Sequence, residues 1–281
     1  MAIMELQTLY STCLLCAIAG VSRSAFYKWL NKKRFNKNHE LIEIIKFEHD
    51  RLRGIYGYRR MKKLLKKKYN IIVNHKKLKK ILKANNLNAC IRRKKPKNKL
   101  LENSKKIIAE NILSRDFNSS YPGKKYVTDI TYIPIWAGMV YLSLIIDLYN
   151  GEVVASKTTT NFDTSISVDI IKALSKKIDL KGAIIHSDQG VHYTNNLYCN
   201  ILKEKGAIQS MSRKANCWDN AVVENFFSHF KCECVRIRKK ALRTFRDVRD
   251  VVDEYIYFYN NERIKVELNG MAPVEYRSQC V

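Results

Sequence analysis

Apolar residues recur at helical spacing through roughly the first ninety positions and switch to an alternating pattern near Lys124. The chain therefore divides into a helical part and a part built on strands. Within residues 15–30, LCAIAGVSRSAFYKWL has the form of a helix-turn-helix fragment. The small Cys16 lies four before Gly20, which can take the left-handed conformation of the turn. Ser22 is placed to cap a helix bearing Arg23, Tyr27 and Lys28. Leu41, Ile44, Ile45 and Leu52 continue the helical spacing, Gly54 and Gly57 break it, and a basic helix is expected from Arg59 to Tyr69. Asn74 is a candidate cap for the next helix. Leu78, Ile81 and Leu82 should face inward there, with Lys76, Lys77, Lys79, Lys80 and Lys83 mostly outward.

From Lys124 onward, KYVTDITYIPI alternates around β-branched and aromatic residues, and MVYLSLIIDLY, after the turn at Ala137-Gly138, reads as its hairpin partner. Asn150-Gly151 is a two-residue hairpin signal leading into EVVASKTTT as a third strand. A helix is expected over Thr164–Lys177, with Ile166, Ile170, Ile171 and Leu174 on one face. A short buried strand, AIIHS, follows, then a helix near Leu197–Lys205, a brief strand around Ile208 and a final helix from near Asp219. Three antiparallel strands followed by alternating helix and strand is the order of an α/β, ribonuclease-H-like fold.

Charge sharpens this division. Of the net +26, residues 1–120 carry +22 and residues 121–281 only +4, while the window 51–99 alone holds +20. An AT-rich genome would enrich Lys, Asn and Ile along the whole chain rather than in one half. So many cations with so few acids between them would repel one another as a bare solvated surface. A basic module joined to a near-neutral one points to a polyanionic partner, DNA or RNA. The linker 91–120 opens with Arg92, Arg93, Lys94, Lys95, Pro96, Lys97 and Lys99, and a basic arm on phosphates and plain disorder fit it equally. No window approaches the apolar length of a membrane span. The apolar stretch Leu14–Val21 is short, is interrupted by Cys16 and Gly20 and lacks a basic leader, so no signal peptide is expected. Among the eight cysteines, Cys13 and Cys16 make a C-x-x-C and Cys232 and Cys234 a C-x-C. His39 and His49 follow the first pair at poor spacing for zinc, and free buried thiols are the better reading.

Three acidic residues stand out. Asp129 lies in the middle of the first strand, a charged residue between Val127 and Ile130, Asp188 stands just past the carboxyl end of AIIHS, and Glu224 lies on the last helix. On that helix Val223, Phe226, Phe227 and Phe230 make a packing stripe, with Asn220, Glu224, Ser228 and Lys231 as a neighbouring polar stripe. Carboxylates gathered from separate elements are what two divalent ions need to cut a phosphodiester. Each one alone has an ordinary explanation, as a turn residue or a surface glutamate. Asp147, before the Asn150-Gly151 turn, and Asp219, a candidate cap for the last helix, are read as structural.

From about residue 40 to 278 the chain resembles transposases of the insertion-sequence-three family, specifically the product of the second reading frame, with its retroviral-integrase-like core. The carrying motifs are TDITYI around Asp129, HSDQGVHYTN around Asp188, and MSRKANCWDNAVVENFFSHFKCE around Glu224. Asp188 and Glu224 are separated by 35 residues, as in the family's DD(35)E signature, and YNNERIKVELNGMAPVEYR resembles its closing motif. The resemblance implies that Asp129, Asp188 and Glu224 are catalytic and hold two Mg²⁺ ions, with Mn²⁺ able to substitute. It implies that Lys231 contacts the element's DNA end. Arg59, Arg60, Arg92, Arg93, Lys94 and Lys95 then belong to the DNA-binding region that precedes the core. The implied activity is cleavage and strand transfer at the ends of an insertion sequence, without a covalent enzyme intermediate. The implied partners are DNA, an upstream-frame protein or fusion, and further copies of the chain, in the bacterial cytoplasm at the nucleoid and with no role for a membrane. The domains implied are a helix-turn-helix-like region over 1–90, a linker over 91–120, the core over 121–235 and a helical extension over 236–281. Two positions depart from the family pattern: Tyr126 stands where many relatives carry Trp, and Lys265, after Arg263, where His is usual. A nuclease without joining activity would leave Lys231 and the closing motif unexplained. A non-catalytic DNA-binding regulator, or decayed transposase, would not need the intact triad.

Overall fold

In the computed structural model, the residues described are 3, 6, 9–34, 39–89, 107–136, 138–214, 216–238 and 241–279. The linker cations Arg92, Arg93, Lys94 and Lys95 lie outside them. Two compact units interleave along the sequence, one of residues 1–56 and 74–88, the other of residues 57–73 and 89–281.

The first unit is helical: α1 (Thr12–Ile18), α2 (Arg23–Arg34), α3 (His39–Arg51) and, numbered in chain order, α5 (His75–Ala84). Its starts are those that the capping residues dictate. Ser22 Oγ accepts the Ala25 N–H at 3.0 Å after Gly20 has turned the chain at φ +66°. Asn74 Oδ1 accepts from Lys76 at 2.8 Å, and Leu78, Ile81 and Leu82 are buried while the α5 lysines are exposed.

The second unit opens with α4 (Tyr58–Tyr69) and contains β1 (Lys125–Ile135), β2 (Gly138–Asp147), β3 (Val153–Thr159), α6 (Ser165–Ser175), β4 (Ile184–Ser187), α7 (Asn196–Glu204), β5 (Ile208–Met211), α8 (Ala221–Phe230), α9 (Phe245–Asn261) and α10 (Pro273–Gln279). The five strands form one sheet in the order β3-β2-β1-β4-β5. The β1–β2 and β2–β3 pairs are antiparallel, and the β1–β4 and β4–β5 pairs are parallel. Period-two alternation sends the side chains to two cores. Val127, Ile133, Leu142, Leu144 and Ile146 meet Val223, Phe226, Phe227 and Phe230 of α8 and Val248, Val252, Tyr255 and Tyr259 of α9. Tyr126, Ile145 and Ile185 meet Ile170, Ile171 and Leu174 of α6 and Tyr198, Ile201 and Leu202 of α7. Each of the Val, Leu, Ile and Phe side chains contributes about 1.5–3 kcal/mol on burial. A mixed sheet between two helical layers is the α/β, ribonuclease-H-like arrangement expected. Among the described residues no helix is long and apolar enough to cross a membrane.

The closing motif fastens the chain's end to the β2–β3 turn. Asn260 accepts from the Val153 N–H at 3.0 Å and donates to its carbonyl at 2.9 Å. Asn150 donates to the Pro273 carbonyl at 2.9 Å, and Lys265 reaches the Gly151 carbonyl at 3.1 Å. Arg277 bridges Asp147 at 3.0 Å and Glu152 at 2.8 Å. Asp147 is thus fully enclosed in a structural network that also includes the Gly123 and Tyr149 N–H groups.

Three expectations are corrected. Asp219 does not cap the last helix; it sits in a 3₁₀ turn, Cys217–Asn220, that precedes α8, with its carboxylate buried. Asn220 lies in that same turn and is buried, so the polar stripe of α8 begins at Glu224. Of the described thiols, Cys16, Cys199, Cys232 and Cys234 are buried and free as read, but Cys13 is exposed.

Candidate active site

The sheet register brings Asp129 and Asp188 level with each other. The last parallel β1–β4 pair is Val127 with His186, and each aspartate lies two residues beyond it. There β4 ends while β1 continues beside β2, so the two carboxylates stand where the strands part, at the carboxyl edge of the parallel segment. Asp129 pairs across β1–β2 with Leu144, whose side chain belongs to the core that α8 covers. Asp129 and Leu144 therefore share the α8 side of the sheet. Its Oδ1 accepts the Ile130 N–H at 2.7 Å.

Glu224 comes from the first turn of α8 and is exposed, while Val223, Phe226, Phe227 and Phe230 fix the helix against the sheet. The electrostatics tie the three acids together. Burial raises the Asp129 carboxyl well above the usual range, the Asp188 carboxylate raises it further and Glu224 adds to this; the Ile130 N–H and the Lys231 ammonium oppose them. Lys231, seven residues after Glu224, holds its Nζ 4.8 Å from the centre of the Tyr132 ring.

Three supporting features escaped sequence reasoning. Asp188 Oδ1 accepts the Gly190 N–H at 2.8 Å, and a Cβ on Gly190 would lie 2.9 Å from that same oxygen. Tyr193, buried five residues past Asp188, has its phenol pushed well above its usual value by burial and by Asp129 and Asp188, so it stays neutral beside them. Asp219 receives Arg213 Nε and Nη2, both at 2.8 Å, Arg115 Nε at 2.7 Å and Asn111 Nδ2 at 3.0 Å. Arg213 above all, aided by Arg115, holds that carboxyl far below its ordinary range despite burial. This clamp fixes the turn from which α8, and with it Glu224, departs. The only signal for these was membership of the motifs around Asp188 and Glu224; nothing in local periodicity marks them. His186 is buried, its Nδ1 lies 2.9 Å from Ser210 Oγ, and burial lowers it to about 4, which keeps it neutral.

Hard oxygen donors in a pocket of mutual repulsion suit a divalent cation. Among the described residues no three such side chains close into a preassembled cage, so the fit rests on donor chemistry and charge. Of the basic residues singled out in the sequence, Arg59 is exposed with its guanidinium 5.7 Å from the Tyr58 ring centre. Arg60 instead points to Glu233, at 3.8 Å.

Comparison with known proteins agrees with this architecture. Two integrase core domain models match residues 119–217 and 224–281, and an HTH-like domain model matches residues 36–96. InsK of insertion sequence element IS150 from Escherichia coli (strain K12), which bears a transposase name, is 36% identical over 280 residues, 98% of this chain and 96% of that protein. The transposase InsF for insertion sequence IS3A of the same organism is 32% identical over 174 residues, 61% of this chain and 60% of its own length. Among solved structures, the catalytic core domain of BIV integrase aligns with a TM-score of 0.43 and 16% identity, covering 56% of this chain and 95% of that one.

Proposed function

This chain belongs to the insertion-sequence-three (IS3) family of transposases, with an HTH-like domain and an integrase core, and on that premise we propose that it cuts and joins DNA at the ends of an insertion sequence, with Asp129, Asp188 and Glu224 holding two Mg²⁺ ions. The observation that carries the reading is the register that sets Asp129 level with Asp188 where β1 and β4 part, with Glu224 on the first turn of α8 close enough to act, like Asp188, on the Asp129 carboxyl. Three carboxylates from β1, the end of β4 and α8 form one site short of positive charge. Divalent ions bound there, Mn²⁺ in place of Mg²⁺ included, supply Lewis acidity and charge neutralisation for phosphoryl transfer.

The chain's own residues position and recognise. The parting of β1 and β4 fixes two carboxylates, the aromatic face of α8 sets the third, and Lys231 offers its ammonium to a phosphate of the element's end. Water forms a bond to phosphorus as the bond to the 3′ oxygen breaks, and that oxygen takes a proton. The freed 3′ hydroxyl then loses its proton and bonds to a second phosphorus, displacing the next strand's oxygen. Both are displacements on DNA, so no side chain becomes covalently bound. The basic region 1–90, including Arg59, together with Arg92, Arg93, Lys94 and Lys95, neutralises the DNA backbone. Residues 121–235 carry the chemistry and 236–281 brace it. Further copies of the chain and the upstream-frame protein complete the assembly, which works on the bacterial nucleoid.

The test is strand joining on a branched DNA oligonucleotide with Mg²⁺ or Mn²⁺, comparing wild type with Glu224→Gln. The expected result is metal-dependent joining that falls by at least about 10²-fold in the variant. Joining that survives would remove Glu224 from the site. No joining by either protein, nor by a fusion with the upstream-frame protein, would favour a DNA-binding regulator.

A further inference from the structure

Nine residues past Glu224, the helix carrying it ends on a buried carboxylate with an unusual number of donors. α8 runs directly into a π-helical turn, Lys231–Val235, with Glu233 at its middle. Glu233 is buried, as is Arg263. Arg263 donates Nη2 to Oε1 at 2.6 Å and Nε to Oε2 at 3.1 Å, a two-point contact. Tyr255 Oη donates to Oε2 at 2.7 Å, and His229 Nδ1 lies 3.4 Å and Arg60 Nη1 3.8 Å from Oε1. Burial pushes this carboxyl up, but His229, Arg263 and Tyr255 together outweigh it and hold it at about 2. A buried ion pair is a poor way to gain stability, since apolar residues of equal volume do as well or better. Where such pairs are kept, the best-attested use is to hold one arrangement of the chain against others, and single π turns inside helices fall frequently at functional sites.

We propose that Arg263 and Glu233 are a positioning pair: Arg263, from the closing motif, locks the π turn so that Lys231 at its first residue presents its ammonium to DNA beside the carboxylate site. This rests on the transposase reading of that site. Lys231 opens the turn that Glu233 anchors, its Nζ lies 4.8 Å from the Tyr132 ring centre, and its charge acts on Asp129. A lysine at 263 has one ammonium in place of the planar fork and cannot hold both carboxylate oxygens in the same way. The pair gives two otherwise unassigned motif residues, the final Glu of KCE and the Arg of NER, one joint role.

The experiment is residue-resolved lysine labelling of the full chain with an amine-reactive reagent, read by mass spectrometry, with and without a duplex DNA oligonucleotide and without metal. In wild type, DNA should protect Lys231 and the lysines of α4 and α5. In Arg263→Lys, protection at Lys231 should be lost while protection on α4 and α5 persists, a selective change that general weakening of the fold would not produce. If Arg263→Lys does not fold, Glu233→Gln/Arg263→Gln replaces the ion pair with neutral groups that still hydrogen-bond, and the same selective loss is expected. Unchanged protection at Lys231 in the folded variant overturns the proposal, as does an equal loss at all lysines. A wild type unprotected at Lys231 overturns it by removing the DNA contact. The readout needs neither metal nor joining, so a failure here is distinguishable from failure of the carboxylate assignment, which Glu224→Gln tests.

Discussion

Replacing Gly190 with alanine should disable the site while leaving the fold intact. Gly190 is not among the residues with positive φ, so alanine meets no backbone penalty there. The obstacle is a single contact: the new Cβ would sit 2.9 Å from Asp188 Oδ1 and 3.6 Å from its Cγ and Oδ2. Ordinary van der Waals contact for a Cβ begins near 3.4 Å, so the carboxylate must retreat by about 0.5 Å or rotate. Either motion strains the 2.8 Å bond that Asp188 accepts from the Gly190 N–H. A hydrogen bond to a charged group is worth about 1.5–3 kcal/mol. If that sum is lost from the orientation of a reacting-site carboxylate, the joining rate falls by about 10- to 150-fold. Stability should barely change, because glycine-to-alanine lowers the entropy of the unfolded chain by about 0.4–1 kcal/mol, which offsets much of the strain. The assay is single-turnover strand joining at saturating DNA and Mg²⁺, with a thermal melt of the same preparation. A rate within twofold of wild type, at unchanged Tm, would falsify the claim that Gly190 sets the Asp188 carboxylate.

Four further outcomes follow from the same contacts. Asp129→Asn should raise the metal-free Tm, by about 2–4 °C for each kcal/mol of repulsion relieved; its raised proton affinity means that the ionised form costs stability above the unfolded value, and a lowered Tm would contradict this. Acid should weaken the fold through Glu233: its folded value of about 2 lies below the ordinary 4.5, so its contribution, on the order of 3 kcal/mol, is present above 4.5 and lost as pH falls toward 2. That slope should flatten in Glu233→Gln/Arg263→Gln urea titrations. Asn260→Ala removes both hydrogen bonds to Val153 and should cost about 1–3 kcal/mol in chemical denaturation, with Asn260→Ser recovering little. Asp219→Ala strands Arg213 and Arg115 and frees the turn before α8, so joining should fall well before the protein unfolds; equal losses of rate and stability would reduce Asp219 to a packing role.

Several carboxylates in this chain look alike as letters and differ completely in surroundings. Arg277 meets Asp147, Arg213 and Arg115 meet Asp219, and Arg263 meets Glu233. Asp129 instead faces Asp188 and Glu224, with Lys231 as the opposing cation. An acid held by guanidinium groups has its charge satisfied within the chain and holds its neighbours in place. An acid set among other acids, as Asp129 is, lacks that internal satisfaction, which is why the proposed reading gives it a metal ion.

The order of helices and strands through α8 was legible from the amino-acid pattern, because short-range periodicity records which face of each element is buried; α9 and α10 follow the helix that the pattern marked as the last. Capping residues such as Ser22 and Asn74 specified helix starts through contacts two or three residues away. The motifs around Asp129, Asp188 and Glu224 were equally visible, as was their 35-residue spacing. Partnership between distant residues emerged only from the folded chain. The parallel register that sets Asp129 level with Asp188, the Asp219 clamp reaching back to Arg115, and the Glu233–Arg263 pair 30 positions apart all depend on packing across the sheet and its helices. Local pattern cannot encode such meetings, since a charged letter carries no record of which opposite charge the fold will bring to it.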